Sequence, residues 1–163
     1  MVSAVAFLVA GCGPTEYRGY DSGIDGVLWR QIAAFEDPLS RELFSPRVNE
    51  SAPYLAALHG TRWDGEAAVA TELNLDAGGV VLYDLSSTPT SADASVFNAS
   101  GTRSLTDDSA GPSEVYTCYR IETAFNGDPM PSAGRLLLDS CPEPLVSLLA
   151  EDAAFASSEV FDG

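Results

Sequence analysis

The amino-acid sequence predicts an α+β fold in which N-terminal helices are followed by an antiparallel meander of about five strands and then by a C-terminal helix. Changes in hydrophobic period carry this prediction. Apolar residues recur at helical spacing near the N-terminus, alternate with polar residues from Glu66, and return to helical spacing after Pro142. Short loops between consecutive strand segments favour antiparallel neighbours.

The length and the charge of the chain restrict its class. A chain of 163 residues fits one domain of ordinary size, and we assign residues 22–163 to a single globular domain without internal repeats. The 24 Asp and Glu residues against 8 Arg and Lys give a formal net charge of −16. This charge opposes contact with phosphate backbones and anionic lipid surfaces, so we expect no binding to nucleic acid.

Helices are predicted in the first part of the domain. The first covers residues 22–37, and Pro38 is expected to end it because proline cannot donate a backbone hydrogen bond. Shorter helical segments are predicted over 39–44 and 51–60. The apolar stripe of the first helix, expected to face the core, consists of Ile24, Val27, Leu28, Ile32 and Phe35.

Strands are predicted from the point where the period changes. Residues 66–75 alternate between apolar and polar, which indicates a half-buried strand, although their Ala and Glu content leaves a helix as the alternative. The turn at 76–79 and an apolar run at 80–85 would complete a hairpin. Further strands are predicted over 95–105, 114–123 and 134–139, and the final helix begins at 142.

The N-terminus has the pattern of an export signal. Residues 2–10 are apolar except for Ser3, which is the length of a signal-peptide h-region and too short to span a bilayer. Residues 9–12 then read Val-Ala-Gly-Cys. This segment resembles the lipobox of bacterial lipoproteins, in which the cysteine receives a diacylglyceryl thioether and becomes the mature N-terminus. The alternative is a short buried helix that contains an ordinary core cysteine.

The resemblance implies where the protein is located in the cell. Residues 1–11 are expected to be a signal peptide and residues 12–21 a tether that begins at the lipidated Cys12. The protein would be anchored at the cell membrane and would face the extracytoplasmic side. A signal peptide begins with Lys or Arg, whereas the first basic residue here is Arg18, so we expect the natural start to lie upstream of Met1.

Two cysteines remain if Cys12 is lipidated, and two thiols in an exported chain usually form a disulfide. We therefore predict a bond between Cys118 and Cys141. Side chains alternate along a strand, so Cys118 should lie on the face opposite Tyr119. The bond would place the start of the C-terminal helix over the face that carries Cys118 and leave the other face to the N-terminal helix.

Few residues of the sequence suggest a catalytic, ligand-binding or metal-binding role. The most suggestive segment contains Trp63, Asp64 and Glu66, because an aromatic ring beside carboxylates is typical of carbohydrate sites. The alternative is a buried Trp63 at a corner of the fold with solvated acids beside it. His59 is the single histidine, no G-x-S-x-G motif accompanies it, and the chain cannot supply a zinc ligand cluster. We expect no cofactor, no metal and no catalytic residue.

Two functional hypotheses follow. The first is a lipid-anchored, non-enzymatic binding or interaction domain whose protein or glycan partner is unknown. The second is a carboxylate-based hydrolase or glycan-binding module of the cell envelope, centred on Trp63, Asp64 and Glu66. They differ in whether the two carboxyl groups converge on an open cleft beside the indole ring.

Overall fold

A computed structural model describes residues 15–17, 19, 22–44, 51–104, 111–127 and 130–157. These residues form one sheet with helices on both faces. The helices are α1 (Ser22–Leu43), α2 (Ser51–Ala57), α3 (Ala67–Ala70) and α4 (Glu143–Val146). The strands are β1 (Glu16–Tyr17), β2 (Thr61–Arg62), β3 (Gly79–Ser87), β4 (Ser91–Ala99), β5 (Val115–Ala124), β6 (Ser132–Leu137) and β7 (Ala154–Ala156).

The sheet is mixed, so the predicted antiparallel meander with flanking helices is wrong. Its seven strands run in the order β1-β7-β5-β4-β3-β2, and β6 pairs with β5 as well. Strands β3 to β6 are antiparallel neighbours, whereas the pairs β1–β7, β5–β7 and β2–β3 are parallel. Each parallel pair contains at least one of the short strands β1, β2 and β7, which are only two or three residues long. Strands of this length are too short to produce a readable alternation in the sequence.

The predicted strand over residues 66–75 is wrong as well. Its first part forms α3, and Trp63 precedes it with its N–H donated to the Leu82 carbonyl beside β2. Alanine favours a helix over a strand, and that propensity outweighs the apparent alternation. The hairpin partner of β3 is therefore β4.

Helix α1 passes through Pro38 and ends at Leu43, although proline was expected to end it. Pro38 lacks the donor for one helical hydrogen bond. Burial offsets this cost, because Leu39 and Leu43 continue the apolar stripe and are only 4 % and 3 % exposed. The stripe therefore packs on the sheet along the whole helix.

The predicted C-terminal helix is reduced to α4, and the chain continues into β7. Side chains do alternate along β5 as predicted. Tyr119 packs in the core beneath α1 and α2, whereas Cys118 belongs to the opposite core with Leu145 of α4. The disulfide between Cys118 and Cys141 is confirmed, with a Cα–Cα distance of 5.6 Å.

The expected tether over residues 12–21 contains β1. The N–H of Phe155 donates to the carbonyl of Thr15 at 2.8 Å, and β1 pairs with β7 from Glu16 onward. Tyr17 is 6 % exposed and packs in the core beneath α1. The sheet therefore holds the chain from Thr15.

Candidate functional site

A cleft of about 400 Å³ lies between the second half of α1, the helix α2 and the strands β5 and β6. Each wall comes from a different part of the sequence, and the amphipathic helices meet the edge of the sheet there. Polar groups surround a small apolar floor. The residues that line the cleft include Glu36, Leu39, Ser40, Tyr54, Ile121 and Arg135. The lining therefore offers both charged and apolar groups to a molecule that enters from solvent.

An ion pair between Arg135 and Glu36 crosses the cleft. Arg135 donates from Nε to Oε1 of Glu36 at 3.1 Å and from Nη2 to Oε2 at 2.5 Å. Both side chains are about one quarter exposed, at 24 % and 26 %, so a ligand can approach the pair from solvent. The guanidinium also lies 5.1 Å from the centre of the Tyr119 ring. The two hydrogen bonds and the ring contact hold the guanidinium of Arg135 in one orientation.

Two phenols lie beside the ion pair. Burial raises the pKa of Tyr119, and the Glu36 carboxylate raises it further. Burial also raises the pKa of Tyr54, whose hydroxyl accepts a hydrogen bond from Thr123 at 3.2 Å. Both phenols are therefore neutral at physiological pH. Of the two, Tyr54 lines the cleft, and its hydroxyl is a hydrogen-bonding group.

The arrangement is suited to binding. Ser40 lines the cleft, but the single histidine of the chain, His59, is an exposed residue outside the lining. The cleft offers a cation, a carboxylate and hydroxyl groups that can orient a polar ligand, and it has an apolar floor at Leu39 and Ile121.

The predicted segment with Trp63, Asp64 and Glu66 forms a turn. Trp63 is 6 % exposed, packs against Tyr83 at a ring distance of 6.1 Å, and donates from Nε1 to the carbonyl of Glu66 at 2.8 Å. Oδ1 of Asp64 accepts the N–H of Glu66 at 3.0 Å. The two acids are exposed. The segment thus buries the indole ring and does not offer it as a platform beside the acids.

A buried acid lies at the start of β5. Glu114 is 1 % exposed, and its Oε2 accepts the N–H of Ala150 at 3.0 Å. Burial raises the pKa of Glu114. Ser113 next to it donates its N–H at 2.8 Å, and its hydroxyl, to the carboxylate of Asp152, and these hydrogen bonds lower the pKa of Asp152. Together these contacts tie the segment after α4 to the sheet.

A second cavity, of about 500 Å³, opens where β1 meets the segment after α4. Its lining includes Thr15, Tyr116, Ser147 and Glu151. It lies beside the start of β5, whereas the cleft lies beside the end of that strand. Cys12, the predicted lipidation site, is outside the described residues, three positions before Thr15.

Sequence reasoning missed the cleft. Glu36 and Arg135 are 99 positions apart, and each belongs to an element whose pattern is explained by packing alone. A single feature hinted at Arg135, which is the one charged residue between residues 129 and 138. An isolated charge in a strand segment has several explanations, so it could not identify a partner.

No protein-family model matches the chain, and no curated protein or solved structure matches it significantly. Within the described ranges, no helix has the length and apolar character needed to cross a membrane. The same part of the chain holds no group of three or more His, Cys, Asp or Glu side chains placed to bind a metal ion.

Proposed function

We propose that this chain is a lipid-anchored, extracytoplasmic binding domain without catalytic activity. Two independent observations support the proposal. Residues 9–12 read Val-Ala-Gly-Cys after an apolar segment, as in bacterial lipoproteins, and Cys12 would carry the lipid. The folded part presents a cleft that is suited to binding.

The cleft with the Glu36–Arg135 pair carries the binding part of the proposal. A bidentate pair that is partly exposed offers acceptor and donor groups in fixed positions, and the neutral Tyr54 and the Ser40 hydroxyl add to them. The ligand is a small polar molecule, or an end of a larger one, with an apolar part that contacts Ile121. The alternative centred on Trp63 gains no support, because that indole ring is buried.

The binding role of the cleft can be tested with a substitution that fills it. Ala133 lines the cleft and is exposed, so Ala133→Phe should fill the cavity and leave the ion pair in place. Ala124 is also exposed and lies at the end of β5, outside the cleft lining, so Ala124→Phe is the matched control.

The probe is a panel of sugars, amino acids and short peptides, observed by saturation-transfer NMR with the purified full chain. We expect at least one member of the panel to bind the wild type and Ala124→Phe and to lose binding to Ala133→Phe. A panel without any binder, or a binder unaffected by Ala133→Phe, would contradict the cleft as the site.

Mass spectrometry of the membrane fraction tests the anchor. We expect a mature N-terminus at Cys12 that carries a diacylglyceryl group, and release of Cys12→Ser from the membrane. Ser3→Ala, which leaves the lipobox intact, is the control and should remain anchored. A mature protein that still begins with Met1, or a Cys12→Ser variant that stays at the membrane, would exclude lipid anchoring.

A further inference from the structure

The fold leaves very little free chain between Cys12 and the sheet. The carbonyl of Thr15 accepts the N–H of Phe155, and β1 then runs parallel to β7 with Tyr17 buried. The sequence predicts a tether of ten residues, 12–21, after the signal peptide. Within that range, the chain is already bonded to β7 from Thr15 onward. The covalent spacer that remains is Gly13 and Pro14.

The length of this spacer limits the distance between the lipid and the domain. Three residue steps separate Cys12 from Thr15, and a fully extended chain spans at most about 3.6 Å per residue, or about 11 Å in total. The headgroup region of one leaflet is itself about 5 to 8 Å thick. A lipid on Cys12 would therefore hold Thr15 at the level of the headgroups or just above them.

From this geometry we propose that the domain rests directly on the bilayer, with the surface around Thr15 facing the lipid headgroups. The inference depends on the lipid anchor proposed above. The contacting surface is defined by Thr15, Ser147 and Glu151, which line the second cavity, and by Glu16, which follows Thr15 in β1. Its occupant is the membrane that holds the anchor.

The charge of this surface determines the type of contact. Glu16 and Glu151 are exposed, so the surface does not insert into the hydrocarbon region and does not bind anionic lipids by charge. The lipid tether holds it at the headgroups. Zwitterionic headgroups are therefore the favoured neighbours, and anionic lipids should weaken the contact in a salt-dependent way.

The same geometry places the ligand cleft away from the anchor. Tyr116 of β5 pairs with Phe155 beside β1, whereas Ile121 of β5 pairs with Arg135 in the cleft. Tyr116 and Ile121 are five residue steps apart along an extended strand, and at about 3.4 Å per step this is about 17 Å. Thr15, which lines the second cavity with Tyr116, and the cleft at Ile121 thus lie toward opposite ends of β5.

Spin labels test the orientation on the intact lipoprotein. The full chain is isolated with its lipid and placed in phosphatidylcholine vesicles that contain a nickel-chelating lipid as the relaxation probe. Ser147→Cys and Thr90→Cys each provide one free thiol, because Cys12 is a thioether and Cys118 is bonded to Cys141. Both positions are exposed, and Thr90 lies in the turn next to the far end of β5.

We expect the label at Ser147 to relax several-fold faster than the label at Thr90. Insertion of ten Gly-Ser residues between Pro14 and Thr15 should remove most of that difference. Equal relaxation at the two positions in the parent chain, or an insertion without effect, would overturn the orientation. Mass spectrometry of the same samples separates this failure from a missing lipid, which would instead refute the anchor.

Discussion

Loss of the disulfide should lower the free energy of unfolding of the domain, by an amount that depends on the length of the loop that the disulfide closes. Cys118 and Cys141 are 23 positions apart, and their bond joins β5 to the start of α4. In the chain-entropy model a closed loop of this length restricts the unfolded state by about 3.4 kcal/mol at 25 °C. This is a large share of the roughly 5–15 kcal/mol by which domains are stable.

The variant is Cys118→Ala with Cys141→Ala, in a chain that also carries Cys12→Ser so that no third thiol interferes. Denaturant unfolding followed by circular dichroism gives the free energy of unfolding. We expect a loss of about 3.4 kcal/mol, and a fall in Tm of about 7 to 14 °C, at roughly 2–4 °C per kcal/mol for a domain of this size. Cys118 is 1 % exposed, so a smaller side chain adds a little to the loss.

Reduction of the disulfide in the Cys12→Ser chain is the control, because it breaks the same covalent link without changing the core side chains. It should reproduce most of the loss. A change below about 1 kcal/mol in both measurements would contradict the chain-entropy account, since it would mean that the unfolded chain gains little conformational freedom when the bond is lost.

Three further changes have defined outcomes. Because the pKa of Glu114 is raised in the folded state, its contribution to stability is complete below the ordinary glutamate pKa and is lost as the pH rises through the raised value. Glu114→Gln keeps the carbonyl acceptor and cannot ionise. The free energy of unfolding of this variant, relative to the wild type, should therefore grow as the pH rises above the ordinary glutamate pKa of about 4.3. Ser95→Ala should stabilise by about 1 kcal/mol, since the Ser95 hydroxyl is fully buried without a hydrogen-bond partner. Gly101→Ala should destabilise by more than about 2 kcal/mol, because Gly101 has φ +82° and an added Cβ would lie 2.4 Å from the carbonyl carbon of Ala77.

Matched controls make these outcomes specific. Ser100→Ala should lose about 1 kcal/mol, because the Ser100 hydroxyl donates to one backbone carbonyl and accepts the N–H of Val115. Gly134→Ala should change stability by less than about 1 kcal/mol, since nothing lies within 4 Å of its added Cβ. Equal effects at the two serines or at the two glycines would contradict the argument, as would a pH-independent advantage of Glu114→Gln.

Features that depend on local periodicity could be predicted from the amino-acid sequence. The helical stripe from Ile24 to Phe35 required α1, and the alternation in β5 required Tyr119 and Cys118 to face opposite cores. The resemblance to a lipobox set Cys12 aside and so left Cys118 and Cys141 as the predicted disulfide, which the structure contains. In α1 and β5, the spacing of apolar residues over a short stretch of chain distinguishes a helix from a strand. The apolar positions also show which face of the element is buried.

Tertiary structure decided where distant segments meet. Strands β1, β2 and β7 exist only because the edges and ends of longer strands bind their backbones, and α1 continues through Pro38 only because Leu39 and Leu43 are buried against the sheet. The cleft joins Glu36 to Arg135 in the same way. Backbone pairing and cleft formation depend on contacts between residues far apart in the chain, and the local hydrophobic period contains no information about which distant segment supplies the partner.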